Sequence, residues 1–183
     1  MKNRAKYRII FNFVHLLEQY PFEAITTKLI CAHSNVNRST FYANFKDKYD
    51  LYDIIQNYHK KKYINLLDTL YNDFEDVKSN NMKIHKFFVI VLKYIQRKKA
   101  FFHAVFITHP NREIAIEYFQ LTKVKYEKIL TDYNTTIENK SAFVTYTLGG
   151  QTAILLSWLK DGCQESPHKI ADILLATTIK LQR

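Results

Sequence analysis

Three glycines and three prolines in 183 residues leave this chain few places to turn. Glycine supplies the left-handed backbone that tight turns need, and proline stops helices. A chain poor in both cannot thread many short strands through hairpins. No stretch shows the apolar–polar alternation of a half-buried strand either. The expectation is an all-α fold. Hydrophobic residues make up 47% of the chain, which excludes general disorder, and its length suffices for one good core or for one small and one medium domain.

Apolar periodicity sets out about nine helices. The first is predicted over Asn3–Tyr20, with Ile9, Phe13, Leu16, Leu17 and Tyr20 as its stripe, and Pro21 ends it. Two short helices follow, and a long fourth helix starts at about Asp47, which can cap it. Its apolar positions are Leu51, Ile54, Ile55, Tyr58, Tyr63, Leu66, Leu67 and Leu70, and His59-Lys60-Lys61-Lys62 reads as a solvated basic turn. Asn72–Asn81 is acidic and polar, a loop. Helix five is expected over Met82–Arg97 and helix six over Ala100–Thr108, stopping before Pro110. Helix seven spans Arg112–Tyr133, with Ile116, Phe119, Val124 and Ile129 or Leu130 inward, and residues 134–140 form a loop. Helix eight, Ser141–Lys160, is apolar on most faces, and Gly149-Gly150 allows a neighbouring backbone to come close. Gly162 ends it as a C-cap. Ser166 caps helix nine, with Pro167 in its first turn and Ile170, Ile173, Leu174, Thr177 and Leu181 as the stripe. An apolar helix eight must be covered on two sides, most simply by a second copy of the chain. A homodimer through helices eight and nine, about 141–182, is therefore expected.

Charge points to a polyanion. The net charge is +10, and residues 1–62 hold eleven Lys/Arg against five Asp/Glu, so most of the excess sits in the first third. Lys2, Arg4, Lys6 and Arg8 open helix one, where positive charge opposes the helix dipole; a phosphate contact and a solvated tail both account for them. The longest apolar run, Phe87–Leu92, is too short to cross a bilayer, and no signal peptide is visible, so a cytoplasmic protein is expected. Lys83–Phe106 reads as a core helix with basic ends rather than a membrane-surface helix. Cys31 and Cys163 have neither metal nor disulfide spacing. His103 and His109 lack a carboxylate at ligand spacing, and no nucleophile motif, phosphate loop or carboxylate pair stands out. The chain is read as no enzyme, with no cofactor and no metal.

Thr26–Lys48 carries the chemistry. Thr26 can cap a short helix, Leu29 and Ile30 face inward, and Cys31 and Ala32 allow a second helix to cross close by. Ser34-Asn35 makes the turn, since Asn is the non-glycine residue best suited to left-handed backbone. Val36 plugs the corner and Asn37 caps the next helix, whose Phe41 and Phe45 form one apolar face. The other face carries Arg38, Ser39, Tyr42 and Asn44, flanked by Thr40. That is a helix-turn-helix suited to a DNA groove. Arg38 can fork onto guanine or bind phosphate, Ser39 and Thr40 reach phosphate or base edges, Tyr42 offers a ring and a hydroxyl, and Asn44 can pair with adenine. Thr27 and Lys48 bracket the groove as phosphate contacts.

The pattern Thr27…Ile30…Val36-Asn37-Arg38-Ser39-Thr40-Phe41-Tyr42…Phe45-Lys46-Asp47-Lys48…Leu51 resembles the DNA-binding domain of the tetracycline-repressor (TetR) family. One departure is Ser34-Asn35, where that family usually has Ala-Gly. Trp158-Leu159-Lys160-Asp161-Gly162 with Ser166-Pro167 resembles the C-terminal body of a branch near regulators of dihydroxyacetone metabolism. The resemblance implies an N-terminal three-helix DNA-binding head, residues 1–62. Helix four joins it to a C-terminal helical bundle, 63–183, for effector binding and dimerisation. It supports DNA contacts at Thr27, Arg38, Ser39, Thr40, Tyr42 and Lys48, whereas at Asn44 the family often has His. It also implies a cavity between helices four to eight for a small apolar or aromatic effector, without naming its lining. The expected function is a ligand-responsive repressor that binds a palindromic operator in double-stranded DNA as a dimer. The alternative is an activator or adaptor whose body binds a protein and no small molecule.

Overall fold

A computed structural model describes residues 2–72, 81–132 and 137–181, and no strand occurs among them. The elements are α1 (Lys2–Gln19), a 3-10 turn (Phe22–Ala24), α2 (Thr27–Ser34), α3 (Arg38–Tyr42), α4 (Lys48–Asn72), α5 (Asn81–Arg97), α6 (Lys99–His103), α7 (Arg112–Asp132), α8 (Lys140–Lys160) and α9 (Pro167–Leu181). Most of the acidic segment expected as a loop, the start of the 134–140 loop and Tyr133 lie outside the described residues. The chain divides into two compact units, residues up to Lys61 with Ala100–Pro110, and Lys62–Lys99 with Asn111 onward.

In the first unit, Ile9, Phe13, Leu16 and Leu17 of α1 are buried as their spacing predicts, while Tyr20 at the helix end is 40% exposed. They meet Ile25, Ile30, Phe41, Phe45, Leu51 and Ile55, a core that fixes α2 and α3 against α1. Ala100–Pro110 joins this unit through Phe101, Phe102, Ala104 and Val105, all buried. The α-helix expected through Thr108 instead opens at Ala104–Thr108 into a π-turn, closed by the His109 N–H donating to the Ala104 carbonyl at 2.9 Å. The expected solvated turn at 59–62 is corrected at its first residue. His59 is only 5% exposed, its ring stacked 4.2 Å from Phe101 at 15°. A flat imidazole fills an aromatic site that three lysines could not.

In the second unit, α5 packs on α9 and α7 on α8. Val89, Leu92 and Ile95 form the buried stripe of α5, and Trp158, Leu159, Val144 and Leu148 that of α8. On α7 the buried positions are Ile114, Ile129 and Leu130, whereas Ile116 and Val124 are 47% and 64% exposed. At roughly 100° per residue, Ile114, Thr122, Tyr126 and Ile129 share one face and Ile116 and Val124 point away. On α9 the stripe is Ile170, Ala171, Leu174 and Thr178, with Ile173 41% exposed. Thr178 is buried because its hydroxyl donates to the Leu174 carbonyl at 2.7 Å and accepts from Gln151 Nε2 at 2.8 Å. Gly149 and Gly150 are exposed, with nothing among the described residues within 4 Å of where a Cβ would stand, so no described residue makes the close approach expected there.

Candidate nucleic-acid interface

Two side-chain caps and one left-handed residue build the corner between α2 and α3. Thr26 Oγ1 accepts the Leu29 N–H at 3.1 Å and starts α2. Asn35 ends it with φ 48° and ψ 53°, its N–H donating to the Ala32 carbonyl, while the Val36 N–H donates to the Cys31 carbonyl at 3.0 Å. This is a Schellman closure with Asn in the position usually given to glycine. Asn37 then caps α3. Its Oδ1 accepts from the Thr40 N–H at 2.9 Å, the Ser39 hydroxyl at 2.9 Å and the Thr40 hydroxyl at 2.6 Å. Phe41 in α3 and Phe45, which lies past the end of the helix and not on it as expected, are 0% and 2% exposed with rings 5.6 Å apart, so the opposite face of α3 is turned to solvent.

On that outer face Arg38 and Ser39 are exposed and Tyr42 is 53% exposed. Thr27, Thr40, Asn44 and Lys48 are half-buried. Asn44 Nδ2 donates to the Thr40 carbonyl at 2.8 Å, which fixes the amide. Lys48 Nζ donates to the Phe22 and Glu23 carbonyls at 2.9 and 3.1 Å and lies 4.6 Å above the Phe22 ring. It therefore ties the start of α4 to the 3-10 turn. An ammonium has three protons, and one remains for another acceptor. Asp47 caps α4, accepting the Tyr49 and Asp50 N–H groups at 2.8 Å each. Neither α2 nor α3 carries an acidic residue, so these two helices add no negative side chain to the face.

Arg8 is anchored in α1 rather than part of a solvated tail. Its Nη2 donates to the Asn35 carbonyl at 3.0 Å, at the C-terminal end of α2, where a cation favours the helix dipole. The bonded residues are 27 apart in sequence, and only the crossing of α1 over α2 brings them together. The turn also buries Ser34 completely, and its hydroxyl has no hydrogen-bond partner among the described residues. Burial raises the neighbouring Cys31 thiol above its ordinary range, with Arg38 pulling the other way.

The second unit holds a cleft of about 70 Å³ between α4, α5, α7, α8 and α9. Leu67, Leu70, Phe87, Phe88, Ile129 and Leu148 supply most of its wall, and Thr122, Lys125, Tyr126, Gln151 and Thr178 its polar atoms. Among the described residues no group of His, Cys, Asp and Glu could hold a metal ion, and no helix is long and apolar enough to cross a membrane.

Comparison with known proteins agrees with this architecture. Residues 14–54 match the family described as bacterial regulatory proteins, tetR family, and residues 82–180 match a transcriptional regulator C-terminal region of the same group. Among curated proteins none matches the chain by sequence. Of solved structures, a transcriptional regulator (TerR/AcrR family) from Aquifex aeolicus VF5 is similar with a TM-score of 0.73 at 18% identity, covering 97% of this chain and 98% of the other. The fatty acid degradation regulator FadR from Bacillus halodurans gives 0.73 at 13% identity over 96% and 94%. The dihydroxyacetone kinase operon activator DhaS gives 0.55 at 17% over 96% and 94%. These likenesses describe the fold. With both parts matched in sequence, and with the helix-turn-helix in place, the chain belongs to the TetR family of DNA-binding transcriptional regulators.

Proposed function

We propose that the protein is a cytoplasmic, homodimeric repressor that reads a palindromic operator and lets go when a small apolar or aromatic effector enters its body. The carrying observation is the outer face of α3. Arg38 and Tyr42 stand exposed on a helix whose other face is locked by Phe41, backed by Phe45 just beyond its end, with no acidic neighbour in α2 or α3. Arg38, Tyr42 and Asn44 would meet base edges. Ser39 and Thr40 would turn their hydroxyls from Asn37 to phosphate, and Thr27 and Lys48, with its remaining proton, would hold the flanking backbone. Residues 1–62 would then be the DNA-binding domain and 63–183 the effector-binding and dimerisation domain, with α4 as the lever between them.

Dimerisation through α8 and α9 is supported by an unfilled face. Ala142, Tyr146, Gly149, Gly150 and Ala153 share one side of α8 and are all exposed, Tyr146 at 71%. Effector response is supported by the apolar cleft. The cleft's size favours a second reading as well. At about 70 Å³ it is below the roughly 300 Å³ typical of ligand sites, as expected of an activator or adaptor whose body binds a protein instead.

Sedimentation velocity with hydroxyl-radical footprinting on a duplex selected from genomic fragments tests the proposal. A dimer protecting two patches about one helical turn apart is expected. A monomer, or one protected patch, would contradict it.

A further inference from the structure

Resting on the effector reading, we propose that the cleft takes an uncharged, mainly apolar molecule carrying one hydroxyl, and that Thr122 relays its arrival to α4 through Tyr63. The wall has one charged group, and that group is already engaged. Lys125 Nζ lies 2.6 Å from Asp68 Oδ1 and 4.8 Å above the Tyr71 ring, and neither partner lines the cleft. What Lys125 offers the cleft is its hydrocarbon stem. An anion entering would have to share the ammonium with Asp68, whose charge already offsets it, and a cation would meet Lys125 with no acid in the wall. Gln151 and Thr178 are bonded to each other, and Thr178 to the Leu174 carbonyl.

Thr122 differs from Lys125, Gln151 and Thr178. Its hydroxyl donates to the Tyr118 carbonyl at 2.7 Å, so across the 2.6 Å contact with Tyr63 the phenol is the donor. Burial pushes the Tyr63 phenol up, which keeps that proton in place. The same Thr122 oxygen is the acceptor a ligand hydroxyl would take, and a ligand that displaces the Tyr63 phenol from it leaves Tyr63 with an unmatched donor away from water. Tyr63 sits on α4, so the cost falls on that helix.

Calorimetry on the full-length protein without DNA tests this with benzyl alcohol, benzoate and benzylammonium, three molecules of one shape and three charges. Benzyl alcohol should bind at least about tenfold more tightly than either ion. Tyr63→Phe keeps the ring and removes the competing donor, so benzyl alcohol should bind about threefold more tightly; Thr122→Val should weaken it about tenfold. An ion binding as well as the alcohol, no heat from any of the three, or an unchanged affinity in Tyr63→Phe would each overturn the proposal. Failure to bind operator DNA would overturn only the regulator reading and leave these affinities legible.

Discussion

The corner between α2 and α3 and the corner between α8 and α9 close with the same pair of backbone hydrogen bonds, yet they are held very differently. In the first, Asn35 takes the left-handed position at φ 48°, and one exposed arginine, Arg8, holds its carbonyl. In the second, Gly162 at φ 74° and Cys163 at φ 59° are both left-handed, and the Cys163 N–H donates to the Trp158 carbonyl at 2.9 Å. Buried Trp158 and half-buried Gln96 then lock that loop: Trp158 Nε1 donates to the Glu165 carbonyl at 2.9 Å and Gln96 Nε2 to the Cys163 carbonyl at 3.2 Å. The first corner also buries the Ser34 hydroxyl unmatched, whereas the second buries the Cys163 thiol, a group that loses little on leaving water. The body's corner is over-determined; the DNA-reading corner carries a removable cost.

Breaking the stronger corner should have the largest effect. Trp158→Ala removes a side chain 4% exposed and the bond to Glu165, and should cost about 3–5 kcal/mol in chemical denaturation. In the weaker corner, Asn37→Ala strips the cap shared by Ser39 and Thr40 and should cost about 1–2 kcal/mol. Ser34→Ala should have the opposite sign, raising stability by about 1 kcal/mol because an unmatched buried hydroxyl disappears. The smallest change is Asn35→Gly, a gain of a few tenths of a kcal/mol seen as a slight rise in melting temperature. If Ser34→Ala destabilises, the contrast between the two corners is wrong.

Capping was legible in the sequence because it is local. Thr26, Asn37, Asp47 and Ser166 each lie within three residues of the N–H they accept, and Asn35 stands where only a few residue types tolerate the backbone. The inward faces of α1 and α3 were legible too, since Phe41 and Phe45 leave little choice of register. Helices seven and nine were legible only in part: Ile129, Leu130, Ile170 and Leu174 are buried as expected, but Ile116, Val124 and Ile173 are not. Apolar residues lie on more than one side of them, and burial of Thr178 depends on Gln151, 27 residues away. Long-range anchoring was equally invisible. Lys48 finds the Phe22 carbonyl, and His59 finds Phe101, only after the chain has folded back.

The central claim is that the outer face of α3 reads sequence. Fluorescence anisotropy should compare a duplex from upstream of the protein's own gene with a scrambled one, for the wild type, Arg38→Ala and Tyr42→Ala at two salt concentrations. The wild type should prefer the native duplex about a hundredfold, and each variant should lose about tenfold or more of that preference while its stability stays unchanged. Equal binding to both duplexes, abolished by salt and indifferent to both substitutions, would mean that only phosphate is felt and would contradict it.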